Sequence, residues 1–496
     1  MPELKYTSTR GNGETVSAAE AIIRGIAADG GLFVPTIWPE KTTNLEELTN
    51  LTYQELANRV MKLFLPDFTE EELNECINKA YDRKFRSELI APLTAKAGVN
   101  FLELYHGPTL AFKDMALTIL PYLLKTAARK LQNDKEIIIL TATSGDTGKA
   151  ALEGFADVEG TQIIVFFPEH GVSEVQKRQM VTQTGDNTFV VGIEGNFDDA
   201  QSGVKAIFGD QELNDRLAKN GKMFSSANSI NIGRLVPQIV YYFWSYAQLC
   251  QRKEITCGEK INFVVPTGNF GNILAGYYAR EIGLPVHKLI CASNENKVLY
   301  DFFASGCYNK NRPFVTTMSP SMDILISSNL ERLLYIIAGK DGVKTKELMD
   351  SLNKTGSYEI TAAMQEKTEM FYGNYASEEE TLQTVGQVYK DTGYLIDTHT
   401  AVAYTVYQKY RQDTGDELPT VVVSTASPFK FPRDVMRAID PKYATIDEFE
   451  LIEEMAALQG GVVPEPIQGL NTREVRHKTV CEKEEMKAVV EKRLGL

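Results

Sequence analysis

The sequence predicts an α/β protein preceded by a mainly helical N-terminal piece. From about residue 100, short runs rich in β-branched residues alternate with segments of helical periodicity, which is typical of βαβ units and a parallel sheet. The first 95 residues have mostly helical patterns, and Ser17 is placed to cap a helix that runs to Ile26. The 496 residues allow about three domains, and the hydrophobic content of 43% is enough for a sizeable core.

The predicted elements follow this alternation along the chain. The clearest strands are Glu136–Leu140, Gln162–Phe167, Thr188–Ile193, Ile261–Val265, Lys288–Ala292 and Thr420–Ser424. The clearest helices are Lys149–Phe155, Asp198–Phe208, Asn272–Glu281 and Arg433–Ile439. Residues 340–385 are predicted to form a polar helical insertion, and Glu482–Leu494 a charged surface helix.

Charge and cysteine usage exclude several classes of function. The formal net charge of −14 repels phosphate backbones and anionic lipid surfaces, so we expect neither nucleic acid nor a membrane as a partner. The six cysteines form no Cys-x-x-Cys pair, and there is no apolar signal core and no apolar run long enough to span a bilayer. The five histidines lie too far apart to suggest a local metal site. We therefore expect a cytoplasmic protein without a metal.

Three strand-to-helix junctions are rich in small, hydroxyl and amide residues. They are the segments 140–149, 265–272 and 424–430. Free backbone N–H groups at a helix N-terminus favour anions, and glycine lets a ligand approach the backbone. A tight turn is the alternative for any one of these loops. Gly268-x-x-Gly271 lacks the dinucleotide spacing, and Gly148-Lys149 is followed by Ala150 rather than by Ser or Thr. Together the three junctions indicate a ligand that carries a phosphate but is not a common nucleotide.

Lys113 lies in an unusual setting for a lysine. Gly107-Pro108 predicts a turn, Thr109 can cap a helix that runs to about Ile119, and Lys113 falls in its first turn. A lysine there is usually a solvated surface residue. This helix is otherwise apolar, however, so we expect the amine to enter a packed interior, where desolvation lowers its pKa and allows a Schiff base. An internal lysine and a phosphate loop together suggest pyridoxal phosphate.

The chain resembles the threonine synthases of the long bacterial and fungal form, which are fold-type II pyridoxal-phosphate enzymes. The resemblance covers essentially the whole chain and rests on the segments 6–11, 31–35, His106–Ala116, Ser144–Gly148, Ser226–Arg234, Gly268–Asn272 and Asp397–Val402. It implies a tryptophan synthase β-like architecture. The N-terminal domain would span residues 1–95, the small α/β domain 135–229, and the large α/β domain 96–134 together with 230–496.

The resemblance also implies a reaction and a set of site residues. The reaction is the conversion of O-phospho-L-homoserine and water into L-threonine and phosphate, the last step of threonine biosynthesis. Lys113 would hold the cofactor and move protons, and Thr425 would offer its hydroxyl to the pyridine nitrogen. The cofactor phosphate would be cradled by Gly268, Asn269, Phe270, Gly271 and Asn272, although Phe270 could instead anchor the turn.

The substrate has a carboxylate and a phosphate, so a second set of residues is needed. Ser144 and Thr147, at a helix N-terminus, suit either anion, while Arg234 and Lys430 suit the phosphate through charge-assisted hydrogen bonds. The predicted neutral donors to the substrate are Asn228 and Asn231. The alternative for each of these residues is a local helix cap or a surface charge.

Two other functions fit parts of the pattern. The first is another fold-type II lyase, such as a threonine/serine dehydratase, or a cysteine synthase of the same fold. These enzymes need no second phosphate site, so Arg234 and Lys430 discriminate against them. The second is a protein that binds a phosphorylated metabolite without chemistry, which would need no reactive lysine. The sequence leaves open whether the protein is a monomer or a homodimer.

Overall fold

The computed structural model describes residues 4–11, 13–41, 44–143, 145–170 and 172–496. In these ranges the strands are β1 Tyr6–Ser8, β2 Thr15–Val16, β3 Phe33–Pro35, β4 Leu93–Lys96, β5 Val99–Glu103, β6 Glu136–Ala142, β7 Thr161–Pro168, β8 Thr188–Glu194, β9 Lys222–Ser225, β10 Ile261–Pro266, β11 Val286–Ser293, β12 Cys307–Asn309, β13 Ser357–Glu359, β14 Phe371–Tyr375, β15 Thr420–Ser424 and β16 Thr479–Glu482.

The helices in the same ranges are α1 Ala18–Arg24, α2 Leu45–Leu48, α3 Tyr53–Phe64, α4 Glu70–Ala80, α5 Asp114–Leu117, α6 Leu120–Lys130, α7 Asp146–Phe155, α8 Glu174–Val181, α9 Phe197–Gly209, α10 Gln211–Lys219, α11 Ile232–Gln251, α12 Gly271–Glu281, α13 Val298–Ser305, α14 Leu330–Ile337, α15 Gly342–Thr355, α16 Ala362–Glu366, α17 Glu378–Thr392, α18 Thr398–Thr414, α19 Pro432–Ile439, α20 Glu448–Leu458 and α21 Met486–Leu494. Short 3-10 turns include Pro320–Met322 and Pro428–Lys430.

The larger sheet has the strand order β14-β11-β10-β15-β5-β4. All neighbours in it are parallel except β4 and β5. Every residue of β10 and β15 is buried, as expected for central strands covered by helices on both faces. Because these two strands are neighbours and parallel, the loops that follow Pro266 and Ser424 emerge side by side at the carboxyl edge of the sheet. The predicted α/β class is confirmed.

The smaller sheet has the order β16-β8-β7-β6-β9, with all strands parallel. It corrects the predicted domain boundary, because β16 pairs with β8 and α21 packs against α9. The last part of the chain thus returns to the small domain, which was predicted to be residues 135–229 only. The sequence missed β16 because it is a short edge strand in which only Cys481 is buried.

The N-terminal piece combines the antiparallel strands β2-β1-β3 with helices that cover α11. Ser17 caps α1 by accepting a hydrogen bond from the backbone of Glu20, as predicted. A buried contact ties this piece to α14, since Thr9 Oγ1 donates to Glu331 Oε1 at 2.6 Å and Arg10 Nε donates to the same oxygen at 2.9 Å. The N-terminal piece therefore packs on the large domain.

Residues 340–385 differ from the predicted polar helical insertion. They contain α15, α16 and the start of α17, but also β13 and β14. The aromatic run Phe371–Tyr375 forms β14 and extends the edge of the larger sheet. Its partner β11 is distant in the sequence, which is why local periodicity did not predict it. Within the described ranges, no helix combines the length and the apolar character needed to cross a bilayer.

Candidate functional site

The turn before Lys113 is built by Asp114. Thr109 donates to the Asp114 carboxylate through its backbone N–H at 2.8 Å and through its hydroxyl at 2.5 Å. A Cβ on Gly107 would lie 2.5 Å from Asp114 Oδ2, so this position requires glycine. The helix predicted from Thr109 is therefore wrong: α5 begins at Asp114, Lys113 precedes it, and Leu110 has a left-handed φ of 63°.

The backbone fixes Lys113 beside Thr425. The N–H of Phe112 donates to the carbonyl of Thr425 at 2.7 Å, and the N–H of Ser427 donates to the carbonyl of Leu110 at 3.0 Å. Thr425 directly follows β15, and its side chain is buried. The lysine and the hydroxyl predicted to meet the cofactor ring are thus brought together at the carboxyl edge of the larger sheet.

The environment of Lys113 favours its neutral amine more than a surface would. Desolvation lowers its pKa to about 8, and the positive charges of Arg234 and Lys430 act in the same direction. The carboxylate of Asp146 opposes this shift. This direction agrees with the predicted lowering of the pKa, and an amine with a pKa of about 8 can exchange a proton close to neutral pH.

The loop after β10 is packed tightly against the segment around Ser321. A Cβ on Gly268 would lie 3.0 Å from the carbonyl oxygen of Ser321. The carbonyl of Gly268 accepts a hydrogen bond from Ser327 Oγ at 2.7 Å, and that of Asn269 accepts one from the N–H of Asn329 at 3.0 Å. The loop backbone is therefore held in one shape before any ligand binds.

Phe270 anchors the same loop. It has a left-handed φ of 65°, and its buried ring packs against Phe303 and Phe371 at centroid distances of 6.1 and 5.8 Å. Its ring thus takes the anchoring role that the sequence had left open. Its backbone lies just before α12, where it stays available for the predicted contact with a phosphate.

The N-terminus of α12 has the features of a phosphate site. No side chain caps this helix, which begins at Gly271. Asn272 Oδ1 accepts hydrogen bonds from Tyr241 and Tyr242 at 2.7 and 2.8 Å, whereas its buried Nδ2 has no partner among the described residues. An unpartnered amide donor beside free helical N–H groups matches the phosphate of pyridoxal phosphate. The segment Gly268–Asn272 therefore fits the predicted cofactor.

Arg234 is a second buried donor. It lies in the first turn of α11, where Nη1 donates to the carbonyl of Ala227 at 2.9 Å. Among the described residues its buried Nε has no hydrogen-bond partner, and its guanidinium forms no ion pair. Burial lowers the pKa of Arg234 to about 10, so the group stays charged at neutral pH. A buried cation without a counter-ion favours binding of an anion.

The two predicted asparagine donors have different environments. Asn231 caps α11 by accepting a hydrogen bond from Gly233, and its Nδ2 donates to the carbonyls of Ile22 and Ser226 at 2.9 and 3.1 Å. Because both of its N–H groups are used, the structure does not favour Asn231 as a donor to substrate. Asn228 is exposed, and its Oδ1 accepts a hydrogen bond from Thr141.

Lys430 departs most from its predicted environment. Its amine is fully buried and forms an ion pair with Asp146 Oδ1 at 2.8 Å. It also donates to the carbonyl of Thr109 at 3.0 Å and to Gln179 Oε1 at 3.3 Å. All three N–H groups thus have protein partners, which corrects the expectation of a cation free to bind the substrate phosphate. Because Asp146 belongs to α7 and Lys430 follows β15, the pair joins the two domains.

Asp146 is the centre of a network that the sequence did not reveal. Burial alone would raise its pKa, but Lys430 and Lys113 outweigh this effect and hold the pKa below its usual range. Asp146 Oδ2 accepts a hydrogen bond from Ser321 Oγ at 3.0 Å. The N–H of Ser321 donates to His399 Nε2 at 3.2 Å, and His399 Nδ1 lies 2.7 Å from Asp397. This arrangement assigns the ring proton of His399 to Nδ1.

Comparison with known proteins decides the family. The pyridoxal-phosphate dependent enzyme family matches residues 90–426, the threonine synthase N terminus matches residues 5–81, and the threonine synthase C-terminal family matches residues 400–491. The chain belongs to the threonine synthase family. Its core is that of a pyridoxal-phosphate dependent enzyme, so the predicted fold-type II architecture and cofactor are confirmed.

Individual relatives agree with this assignment. Threonine synthase of Pseudomonas aeruginosa is 40% identical over 441 residues, which cover 88% of this chain and 90% of that protein. The structure of threonine synthase from Brucella melitensis with bound pyridoxal phosphate is 35% identical and covers 99% of both chains, with a TM-score of 0.87. The human protein Threonine synthase-like 1 is also 40% identical over 86% of this chain, but the match spans only 58% of that longer protein.

Of the two predicted site residues that remain, the structure describes one. Thr147 is half-buried in the first turn of α7. Ser144 lies outside the described residues. In the part of the chain that is described, no group of three or more His, Cys, Asp or Glu side chains is arranged to hold a metal ion.

Replacing Asp114 by asparagine is expected to destabilise the protein more at pH 4 than at pH 7. Burial raises the pKa of this carboxyl from 3.8 to about 6, although hydrogen bonds from Thr109 oppose the shift. The protonated carboxyl therefore stabilises the fold at low pH, and this contribution is lost as the pH rises through about 6. The difference between the two pH values should be about 2–3 kcal/mol in the free energy of unfolding.

Denaturant unfolding of wild type and Asp114→Asn at both pH values measures this effect. The same substitution at the exposed Asp391 serves as the control. A loss of stability that is equal at pH 4 and pH 7 would show that the Asp114 carboxyl is not held in a desolvated environment.

Proposed function

We propose that this member of the threonine synthase family converts O-phospho-L-homoserine and water into L-threonine and phosphate, by γ-elimination of phosphate and β-addition of water. The observation that carries the proposal is a second anion site. Among the described residues Arg234 is buried without a counter-ion, and the buried amide donor of Asn272 at the N-terminus of α12 has no partner. A dehydratase or a cysteine synthase needs only the cofactor phosphate site, whereas a phosphorylated amino acid requires both.

Pyridoxal phosphate, when bound, supplies an aldehyde for the substrate amine and an electron-poor ring that stabilises negative charge on the adjacent carbon. The backbone of Gly268–Gly271 and the amide of Asn272 would hold its phosphate. Thr425 would offer its hydroxyl to the pyridine nitrogen. A hydroxyl partner, unlike a carboxylate, does not hold a proton on that nitrogen.

Lys113 would move the protons of the reaction. A pKa of about 8 lets its amine accept a proton from Cα of the substrate and return one near neutral pH. The same amine would then remove a proton from Cβ before the phosphate leaves. Asp146 favours the protonated form of Lys113, while Arg234 and Lys430 favour the neutral form, so neither state of the base is strongly disfavoured.

The substrate anions would bind on opposite sides of Lys113. Arg234 would bind the phosphate through its unpartnered Nε, assisted by Asn228. Thr147 and Ser144, with the first N–H groups of α7, would bind the carboxylate. Lys430 would act through Asp146 rather than by direct contact. The burial of Arg234 and Lys430 would help to exclude water until the elimination step is complete.

The proposal also includes the location of the enzyme and its oligomeric state. The net charge of −14 and the biosynthetic reaction support a cytoplasmic enzyme that binds neither nucleic acid nor membranes. A monomer or a homodimer is proposed as the working form, and light scattering at several protein concentrations distinguishes the two.

The test of the proposed function measures both products together. Incubation with O-phospho-L-homoserine should release phosphate and form L-threonine in a 1:1 ratio, and L-threonine alone should give no 2-oxo acid. Formation of 2-oxobutyrate from L-threonine without phosphate release would indicate a dehydratase. Binding of O-phospho-L-homoserine without any product would indicate a binding protein. Either result would overturn the proposal.

Arg234→Leu is expected to weaken binding of O-phospho-L-homoserine by about 2–5 kcal/mol, because a buried phosphate would lose its cation. The affinity for pyridoxal phosphate should change little, since Asn272 and α12 form a separate site. Titration with the cofactor and steady-state kinetics give the two quantities independently.

Arg280→Leu provides the matched control, because Arg280 lies on α12 with 42% of its side chain exposed and pairs with Glu281. This variant should bind substrate and cofactor as the wild type does. If Arg234→Leu instead loses cofactor and substrate affinity equally, Arg234 belongs to the cofactor phosphate site.

A further inference from the structure

Two glutamines of α8 face the ion pair that joins the domains. Gln176 and Gln179 are three residues apart, so they lie on the same face of the helix. Both are buried, with exposed fractions of 5% and 2%. Gln176 Nε2 donates to Asp146 Oδ1 at 3.1 Å, and Gln179 Oε1 accepts from Lys430 Nζ at 3.3 Å. The small domain thus contacts both members of the pair through this face.

The orientation of the Gln179 amide follows from its neighbour. A lysine amine only donates, so the carbonyl oxygen of Gln179 must face Lys430, and Nε2 must point elsewhere. Turning the amide over would place two donors against each other. Nε2 is buried and has no partner among the described residues. Because burying an unpartnered donor is unfavourable, such a group in a native protein is usually satisfied by a ligand or an ordered water.

The position of Gln179 indicates which ligand this is. Lys430 also donates to the carbonyl of Thr109, which lies four residues before Lys113 in the sequence, so Gln179 lies close to the reaction site. The positive charge of Lys430 is balanced by Asp146, whereas Arg234 forms no ion pair in the described ranges. A doubly charged phosphate is therefore favoured at Arg234. The neutral amide of Gln179, near the N-terminus of α7, suits a singly charged carboxylate.

We propose that Gln179 is a substrate-binding residue whose Nε2 donates a hydrogen bond to the carboxylate of the amino-acid substrate. This inference rests on the proposed function and deepens it, because it assigns the substrate carboxylate to the α8 side of the cleft and the phosphate to the α11 side.

Two variants of the holoenzyme test this inference. Gln179→Met keeps the approximate size and loses the donor, while Gln179→Glu keeps the acceptor for Lys430 and also loses the donor. The probes are L-threonine, which has the carboxylate but no phosphate, and inorganic phosphate, which has no carboxylate. The shift of the cofactor absorption band reports the binding of L-threonine, and competition against O-phospho-L-homoserine reports the binding of inorganic phosphate.

The dissociation constant for L-threonine should rise about tenfold in Gln179→Met and further in Gln179→Glu, where a like charge faces the carboxylate. The inhibition constant for inorganic phosphate should stay within about twofold of wild type, because Arg234 is unchanged. Gln183→Met is the matched control. Gln183 is also buried at the end of α8, but its amide is bonded to Lys149 and to the carbonyl of Thr184, so this variant should bind L-threonine normally.

Unchanged binding of L-threonine in both Gln179 variants would overturn the inference and indicate that Nε2 faces only water. Equal weakening of the binding of L-threonine and of inorganic phosphate would also overturn it. Gln179 would then support the structure of the whole site rather than bind the carboxylate. Both results can be obtained while the wild type still forms threonine. Failure of the proposed function is detected separately, by the absence of products from the wild-type enzyme.

Discussion

Replacing Lys113 by alanine is expected to lower threonine formation by several orders of magnitude. The substitution removes both the attachment point of the cofactor and the group that moves protons. Loss of a residue with both roles lowers the reaction rate strongly. Arginine should not restore activity, because its guanidinium stays protonated. Rates of phosphate release by the variants, measured with excess pyridoxal phosphate, give the size of the effect.

The control for this experiment is Lys125→Ala, which removes a lysine whose side chain is 41% exposed and pairs with Glu159 at 3.7 Å. Its activity should equal that of the wild type. Near-normal threonine formation by Lys113→Ala would contradict the assignment of Lys113. The Lys113 side chain makes no capping hydrogen bond to α5, so we expect Lys113→Ala to fold normally. The thermal unfolding transition of each variant checks this expectation.

Lys430→Met is expected to destabilise the protein by about 3–5 kcal/mol, because Asp146 would be left buried without its cation. Gln176 and Ser321 would still donate to the carboxylate, but neither carries a charge. The pKa of Asp146 is lowered in the folded protein, so the stabilisation is present above the unfolded pKa and is lost only as the pH falls through the lower folded value. The effect of Lys430→Met should therefore be constant between pH 6 and pH 8.

The double variant Lys430→Met with Asp146→Asn should recover part of the lost stability, since position 146 no longer carries a buried charge that has lost its partner. The exposed pair Lys346–Asp350, on the surface of α15, is the comparison. Lys346→Met should cost less than about 1 kcal/mol. Denaturant unfolding of the wild type and these three variants measures these differences, and equal effects of Lys430→Met and Lys346→Met would contradict a buried interdomain ion pair.

The parts of the fold that the sequence predicted are those with a strong local pattern. The strands β10 and β15 are continuous apolar runs that end at turn residues, and their predicted positions are confirmed to within one residue. The apolar neighbours of Lys113 correctly predicted a desolvated amine. In these cases the physical signal lies within about ten consecutive residues.

The parts that were missed depend on contacts between distant segments. Nothing near Lys430 in the sequence indicates that Asp146 neutralises it, because the partner is contributed by the other domain. Ser321 connects Asp146 to His399 from a segment without periodicity. The edge strand β16 can be recognised as a strand only from its pairing with β8, which is distant in the sequence. At Asn231 only the structure shows that Oδ1 caps α11 and that both N–H groups donate to the carbonyls of Ile22 and Ser226, which leaves no donor for a substrate.

The central claim, that the site is built around Lys113, is tested most directly by locating the covalent bond to the cofactor. The holoenzyme is treated with borohydride, which reduces a lysine–cofactor linkage to a stable bond, then digested and analysed by mass spectrometry. We predict that the pyridoxyl group is found on Lys113, in a peptide that includes Phe112 and Asp114. A pyridoxyl group on another lysine, or its absence from every peptide of an active enzyme, would contradict this assignment.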